Sequence, residues 1–123
     1  MSKIWFHTTF PDITPENRRR FEEVAARMVE LTRQETGMLR YEYYLDATGT
    51  TCVVREEFVD SDAILAHIAN VSEVVPELVE LGGGISAQVF GTMNDETAKA
   101  MSAFGAVVYS YLDGFGWSTP AQP

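Results

Sequence analysis

Residues 51–68 read Thr51-Cys-Val-Val-Arg-Glu-Glu-Phe-Val-Asp-Ser-Asp-Ala-Ile-Leu-Ala-His-Ile68. The change from a strand pattern to a helix pattern inside this stretch decides the fold. Cys52 to Val59 is rich in β-branched and aromatic residues, the composition that suits a pleated, half-buried surface. Asp60 or Ser61 is a ready N-cap, and Asp62 puts negative charge into the first helical turn. Ala63 to Ile68 continues as a short apolar helix. The stretch therefore carries an acid on a strand, Glu56 or Glu57, and a histidine, His67, one or two turns into the following helix.

On the N-terminal side, Lys3 to Phe10 alternates as a strand, with Ile4, Phe6, Thr8 and Phe10 on one face and Trp5, His7 and Thr9 on the other. Thr14 and Pro15 open a helix over about 15–36, in which Phe21, Val24, Ala25, Met28 and Leu31 recur at helical spacing. Gly37 suits the helix C-terminal position. Met38–Leu45 is a second strand, and Asp46-Ala-Thr-Gly49 is turn chemistry that makes a hairpin with the strand of the opening stretch. Beyond His67, Pro76 breaks the helical region near 70–72, and a restart carries it to Leu81. Gly82-Gly83-Gly84 has no basic residue nearby and is a loop, not a phosphate cradle. Ile85–Phe90 is a fourth strand.

This β-α-β-β-α-β order predicts an α+β, ferredoxin-like fold: a four-stranded antiparallel sheet with helices on one face. Residues 1–92 form that domain. Residues 93–123 are a C-terminal extension packing on it, with a helix capped by Asn94 over 95–102, a strand over 106–112 and a loose tail from Asp113. Both faces of the sheet carry apolar or aromatic residues, for example Ile4 and Phe6 against Trp5, or Val54 and Phe58 against Val53 and Val59. One face needs a cover other than the helices, and a second copy of the chain is the simplest one, which predicts a homodimer.

At 46% hydrophobic residues the chain buries a real core and is not a disordered one. A net charge of −9, from 18 acidic against 9 basic residues, repels phosphate backbones and anionic lipid, so no nucleic acid and no membrane surface is expected as a partner. Arg18-Arg19-Arg20 reads as a solvated helix face. A single cysteine, Cys52, forms neither an internal disulfide nor a cysteine-based metal site. The N-terminus runs straight into a strand pattern and no apolar run nears ~20 residues, so a cytoplasmic location is expected.

Glu35-Thr-Gly-Met-Leu-Arg-Tyr41 resembles the E-x-G-x-L-x-Y strand entry of the antibiotic biosynthesis monooxygenase family. Glu56, Phe58, Asp60, Ala63 and His67 resemble that family's acid-aromatic-Asp-Ala-His segment, and the likeness covers about residues 2–90. The resemblance implies a dimeric α+β barrel that oxygenates small aromatic, often quinol-like, compounds with O₂ and no cofactor. The haem-degrading branch of the family is not matched, since its Asn, Trp and His positions hold His7, His67 and Glu77 here.

Such chemistry needs a base near working pH, donors for a developing oxyanion and a cavity that excludes water. His67 is the best base candidate. Glu56 is placed to orient it or to accept a proton, and His7 and Tyr41 complete the candidate catalytic set by hydrogen-bonding substrate oxygens. Trp5, Phe58 and Tyr43 are the candidate substrate-binding residues. If the other face of strand 52–59 meets the helices, Arg55 and Glu57 replace Glu56 and Phe58. No metal-ligand spacing is present, and no cofactor is expected. The alternative from a different class is a non-catalytic dimeric module that binds a small ligand or serves in stress or assembly.

Overall fold

Alternation along the first strand sets the inside and outside of the molecule. In β1, Ile4–Phe10, the residues Ile4, Phe6, Thr8 and Phe10 are buried while Trp5, His7 and Thr9 are half-buried. The computed structural model describes residues 3–116. β3, Cys52–Phe58, pairs antiparallel with β1, with Phe6 opposite Glu56 and Thr8 opposite Val54. β2, Met38–Leu45, pairs antiparallel with β3 and sets Tyr41 opposite Glu56 and Tyr43 opposite Val54. A register shift between Met38 and Arg40 leaves Leu39 exposed. Since directly paired residues share a face, Tyr41, Tyr43, Val54, Glu56, Phe6 and Thr8 all look to the same side.

β4, Ser86–Phe90, flanks β1 antiparallel. β5, Val107–Tyr109, adds to β4 in parallel, giving a mixed sheet ordered β2-β3-β1-β4-β5. The first four strands are the antiparallel ferredoxin-like sheet expected from the sequence. The fifth is parallel because α4, Asp95–Ala103, returns the chain to the same end of the sheet, the crossover that a parallel pair requires.

Among the described residues four helices cover the buried face. α1, Arg18–Thr32, lays Phe21, Val24 and Met28 on it. It is shorter than the sequence pattern predicts: Thr14 and Pro15 form a turn, in which the Asn17 N–H donates to Thr14 Oγ1 at 3.3 Å, before the helix begins. Gly37 is no helix cap. A Cβ there would lie 2.5 Å from the Ala63 Cβ, so the glycine permits close approach of the 33–37 segment to α2, Ser61–Val71. Asp60 caps α2 through a 2.9 Å bond from the Ala63 N–H. α3, Val75–Leu81, takes Pro76 in its first turn. Asn94 caps α4, accepting from the Thr97 N–H at 2.9 Å.

The core falls into two clusters. Phe10, Phe21, Val24, Met28, Val54 and Leu78 join α1 and α3 to the sheet. Ile4, Phe6, Phe58, Ile64, Val89 and Met101 join α2 and α4 to it. The opposite face carries Trp5, flanked by the Arg40 and Arg55 guanidinium groups at 5.8 and 5.9 Å. On the same face His7 meets Phe90 edge-on and Phe90 stacks on Tyr109. Among the described residues no helix is long and apolar enough to cross a membrane. The expected loose tail falls, over 117–123, outside the described residues.

Candidate active site

The pairing of β2 with β3 and of β3 with β1 brings Tyr41, Tyr43, Glu56 and Thr8 into one patch on the buried face. α2 crosses above this patch, and the Asp60 cap starts the helix so that His67 points down into it, 7% exposed. The His67 ring packs edge-on against Tyr41 at 5.3 Å and Phe58 at 5.7 Å.

Glu35, in the turn after α1, reaches the histidine from the other side. Its carboxylate accepts from His67 Nδ1 at 2.9 Å. Asn70, one turn further along α2, donates through Nδ2 to the same Glu35 oxygen at 2.8 Å and to the Leu31 carbonyl at 2.9 Å, which fixes the carboxylate. With Nδ1 engaged by Glu35, Nε2 is the ring nitrogen that faces the interior. There Nε2 faces Glu56 Oε1 across 3.7 Å, beyond hydrogen-bond range. The second Glu56 oxygen accepts from Thr8 Oγ1 at 2.8 Å.

Burial holds the Glu56 carboxyl well above the usual carboxylate range. The neighbouring Glu35 adds to the rise, while His67 and the Thr8 hydroxyl act against it. Burial likewise raises the Tyr41 and Tyr43 phenols, whose oxygens are 2.7 Å apart, so both remain neutral hydroxyl donors. The site thus combines an inward-facing imidazole nitrogen, a carboxyl whose affinity for a proton is raised by burial and two phenolic hydroxyls.

These groups lie on one wall of a cavity of about 290 Å³, of a size to hold a small organic molecule. The rest of its lining is largely apolar, from Phe6 and Phe10 on β1 through Ile68, Val71 and Pro76 on α2 and α3 to Met101, Phe104 and Ala106 in the C-terminal extension. Among the described residues no group of three or more His, Cys, Asp or Glu side chains could hold a metal ion.

The structure brings together His67, Glu56, Tyr41 and Tyr43. Phe58 is fully buried and buttresses the His67 ring without lining the cavity. Trp5 and His7 do not join them. Odd-numbered residues of β1 point to the far face, where these two share a separate recess with Arg55 and Phe90. The expectation that they sit in the His67 pocket is corrected by that alternation. The open question about β3 is answered in favour of Glu56 and Phe58 facing the helices. Glu35, Asn70 and Thr8 escaped the sequence reading. Glu35 does open the family-like strand-entry motif, and that was its one available signal.

The sequence pattern of the antibiotic biosynthesis monooxygenase family matches residues 7–71, just over half of the chain. The chain belongs to the antibiotic biosynthesis monooxygenase family. Among solved structures, this family member resembles MupZ from Pseudomonas fluorescens at 18% identity and a TM-score of 0.75, over 98% of each chain. It also resembles a conserved protein from Methanosarcina mazei (22% identity, TM-score 0.66, 72% of this chain and 91% of that one). A third likeness is to Rv0793 from Mycobacterium tuberculosis (21% identity, TM-score 0.66, 76% and 98%). At these identities the likeness is one of fold. No curated protein matches the chain by sequence.

Proposed function

We propose that the chain is a cofactor-independent monooxygenase that oxidises a small aromatic or quinol-type compound with O₂. The observation that carries this reading is His67, tied to Glu35 through Nδ1 and open through Nε2, at the polar wall of an otherwise apolar cavity. In the reaction, His67 Nε2 takes a proton from a phenol or from the activated methylene of its keto tautomer. Glu35 stabilises the imidazolium. The Tyr41 and Tyr43 hydroxyls donate to the oxyanion that develops.

The carbanion passes one electron to O₂, and the radical pair joins to a C–O–O⁻ peroxide. The Glu56 carboxyl or the imidazolium returns the proton. Loss of water from the hydroperoxide leaves a carbonyl. The balance is CH₂ + O₂ → C=O + H₂O, and the substrate itself supplies all the electrons. Apolar walls exclude water from the anion and the peroxide.

A second copy of the chain covers the sheet face that carries Trp5, His7, Phe90 and Tyr109, as in the homodimer that the sequence pattern implies. Sedimentation at micromolar concentration then gives twice the monomer mass, and a monomer overturns this part of the proposal.

Oxygen uptake with a panel of hydroquinones and anthrones tests the activity. At least one compound is consumed with O₂, and His67→Ala loses about a hundredfold or more of the rate while its far-UV dichroism stays native. Thermal stabilisation by panel members without any uptake rejects the reading in favour of a binding module, and full activity in His67→Ala overturns the role of that histidine as the base.

A further inference from the structure

The polar groups of the cavity occupy β2, β3 and β1 together with α2, whereas the cavity continues across β4 to the C-terminal extension. Two strand spacings, roughly 10 Å, separate the Glu56 strand from β4, and one more reaches β5. Along that course the lining changes character. Beyond Thr8 it is mainly Ala87, Ile85, Met101, Phe104 and Ala106, with Ser86 the one hydroxyl-bearing residue there and in register with Thr9 of the far face. Among the described residues no lysine or arginine lines any part of the cavity.

Phe104 is the unusual member of this set. It lines the cavity and is yet 64% exposed, which places it at the mouth. Its backbone is held firmly. The Gly105 N–H donates to the Ser102 carbonyl at 2.9 Å and the Ala106 N–H to the Met101 carbonyl at 3.1 Å. Gly105 takes φ 76°, and the three features together are a Schellman termination of α4. The helix is anchored in turn by the Asn94 N–H bonding Ser61 Oγ at 2.9 Å and by the buried Met101. A side chain on so fixed a backbone, with room on its solvent side, can act as a stop whose size sets the depth of the cavity.

We propose that Phe104 determines how long an apolar substituent the cavity accepts, and that the substrate is an uncharged amphiphile with its oxygenated ring against His67 and its apolar part running toward the α4–β5 turn. The proposal rests on the reading of the His67 wall as the reacting end. An anionic substrate finds no lysine or arginine among the described lining residues to offset its desolvation, so carboxylates and phosphates are disfavoured. The apolar channel gains affinity with each methylene it covers until the chain meets the phenyl ring at the mouth.

Calorimetric titration of the whole protein with 4-n-alkylphenols from ethyl to decyl tests this without requiring turnover. Affinity rises by about fourfold per methylene, then breaks at one chain length. Phe104→Ala moves the break to longer chains and Phe104→Trp to shorter ones. The matching 4-n-alkylbenzoates bind at least tenfold more weakly than the phenols. A break at the same length in all three proteins, or no binding of any alkylphenol, overturns the proposal. If the break moves but no compound consumes O₂, the specificity assignment stands and the oxygenase reading falls. If O₂ is consumed and depends on His67 while the break stays put, the reverse holds.

Discussion

Glu35 and His67 lie 32 positions apart in the chain and share a hydrogen bond of 2.9 Å at the top of the cavity. Neither residue has a local reason to meet the other. The contact exists because α1 and α2 lie side by side on the sheet and because Gly37 lets the chain after α1 pass close to Ala63.

The first prediction follows from this pair. Glu35→Ala removes the acceptor for Nδ1–H and frees Asn70, costing about 1–3 kcal/mol of stability in urea denaturation. In ¹⁵N spectra the wild-type His67 ring reports a single tautomer with the proton on Nδ1, and Glu35→Ala shows a mixture. Glu35→Gln retains an acceptor and keeps the single tautomer. Identical ring spectra in all three proteins would remove Glu35 from its positioning role.

Glu56 makes stability depend on pH. Its folded-state pKa lies above the unfolded one, chiefly through burial. The folded protein therefore holds this proton more tightly. The associated stability is fully present below the unfolded pKa and is lost as pH rises through the folded one. Glu56→Gln keeps an acceptor for the Thr8 hydroxyl but does not titrate. The stability difference, wild type minus variant, should fall as pH rises from mildly acidic to mildly alkaline. Urea midpoints across that range measure it, and a difference that grows with pH contradicts the assignment.

Gly37 carries a packing prediction. A Cβ 2.5 Å from the Ala63 Cβ cannot be accommodated without moving α2. Gly37→Ala is expected to cost about 1–3 kcal/mol. Adding Ala63→Gly removes the clash at a helix cost of about 1 kcal/mol, so the double variant is more stable than the sum of the two single losses. Additive losses would mean that the clash is relieved some other way.

Cys52 is buried, and burial pushes its thiol up to about 11. At pH 7 roughly one molecule in ten thousand carries the thiolate that reacts with electrophiles. A disulfide reagent therefore labels the protein in urea at the ordinary thiol rate and the native protein at least a hundredfold more slowly. Rapid native labelling would place this strand position elsewhere than in the core.

Much of the architecture was legible in local pattern. The period-two alternation of Ile4 to Phe10 and the helical spacing of Phe21, Val24 and Met28 each describe a short segment that chooses its conformation from its own residues. The same signals offer Asp60 or Ser61 as one cap and Asn94 as another, and the structure uses Asp60 and Asn94; the β-α-β-β-α-β order is found in place. α1 is shorter at both ends than its sequence pattern, since Thr14 and Gly37 carry helix-end chemistry that tertiary contacts use for a turn and for a close approach.

The site was half legible. His67, Glu56, Tyr41 and Tyr43 were named from the sequence and share one wall. Trp5 and His7, candidates for that wall by residue type, lie behind the sheet. A strand states its two faces but not which of them the helices will cover, and that choice is settled only when whole faces compete for burial. Glu35, Asn70 and Thr8 form no local pattern with His67, so no window along the chain contains their relation.

Taken alone, then, the sequence determined the elements, the caps of α2 and α4 and the two opposed faces of each strand, because backbone preference and hydrophobic period act over a few residues. Tertiary structure decided that Glu56 rather than Arg55 and Glu57 faces the helices, that Glu35 holds His67, and that Phe104 of the extension lines the same cavity as His67. Each of these relations joins separate elements, Glu35 and His67 being 32 positions apart. Strand register and helix packing must both form before any of them exists.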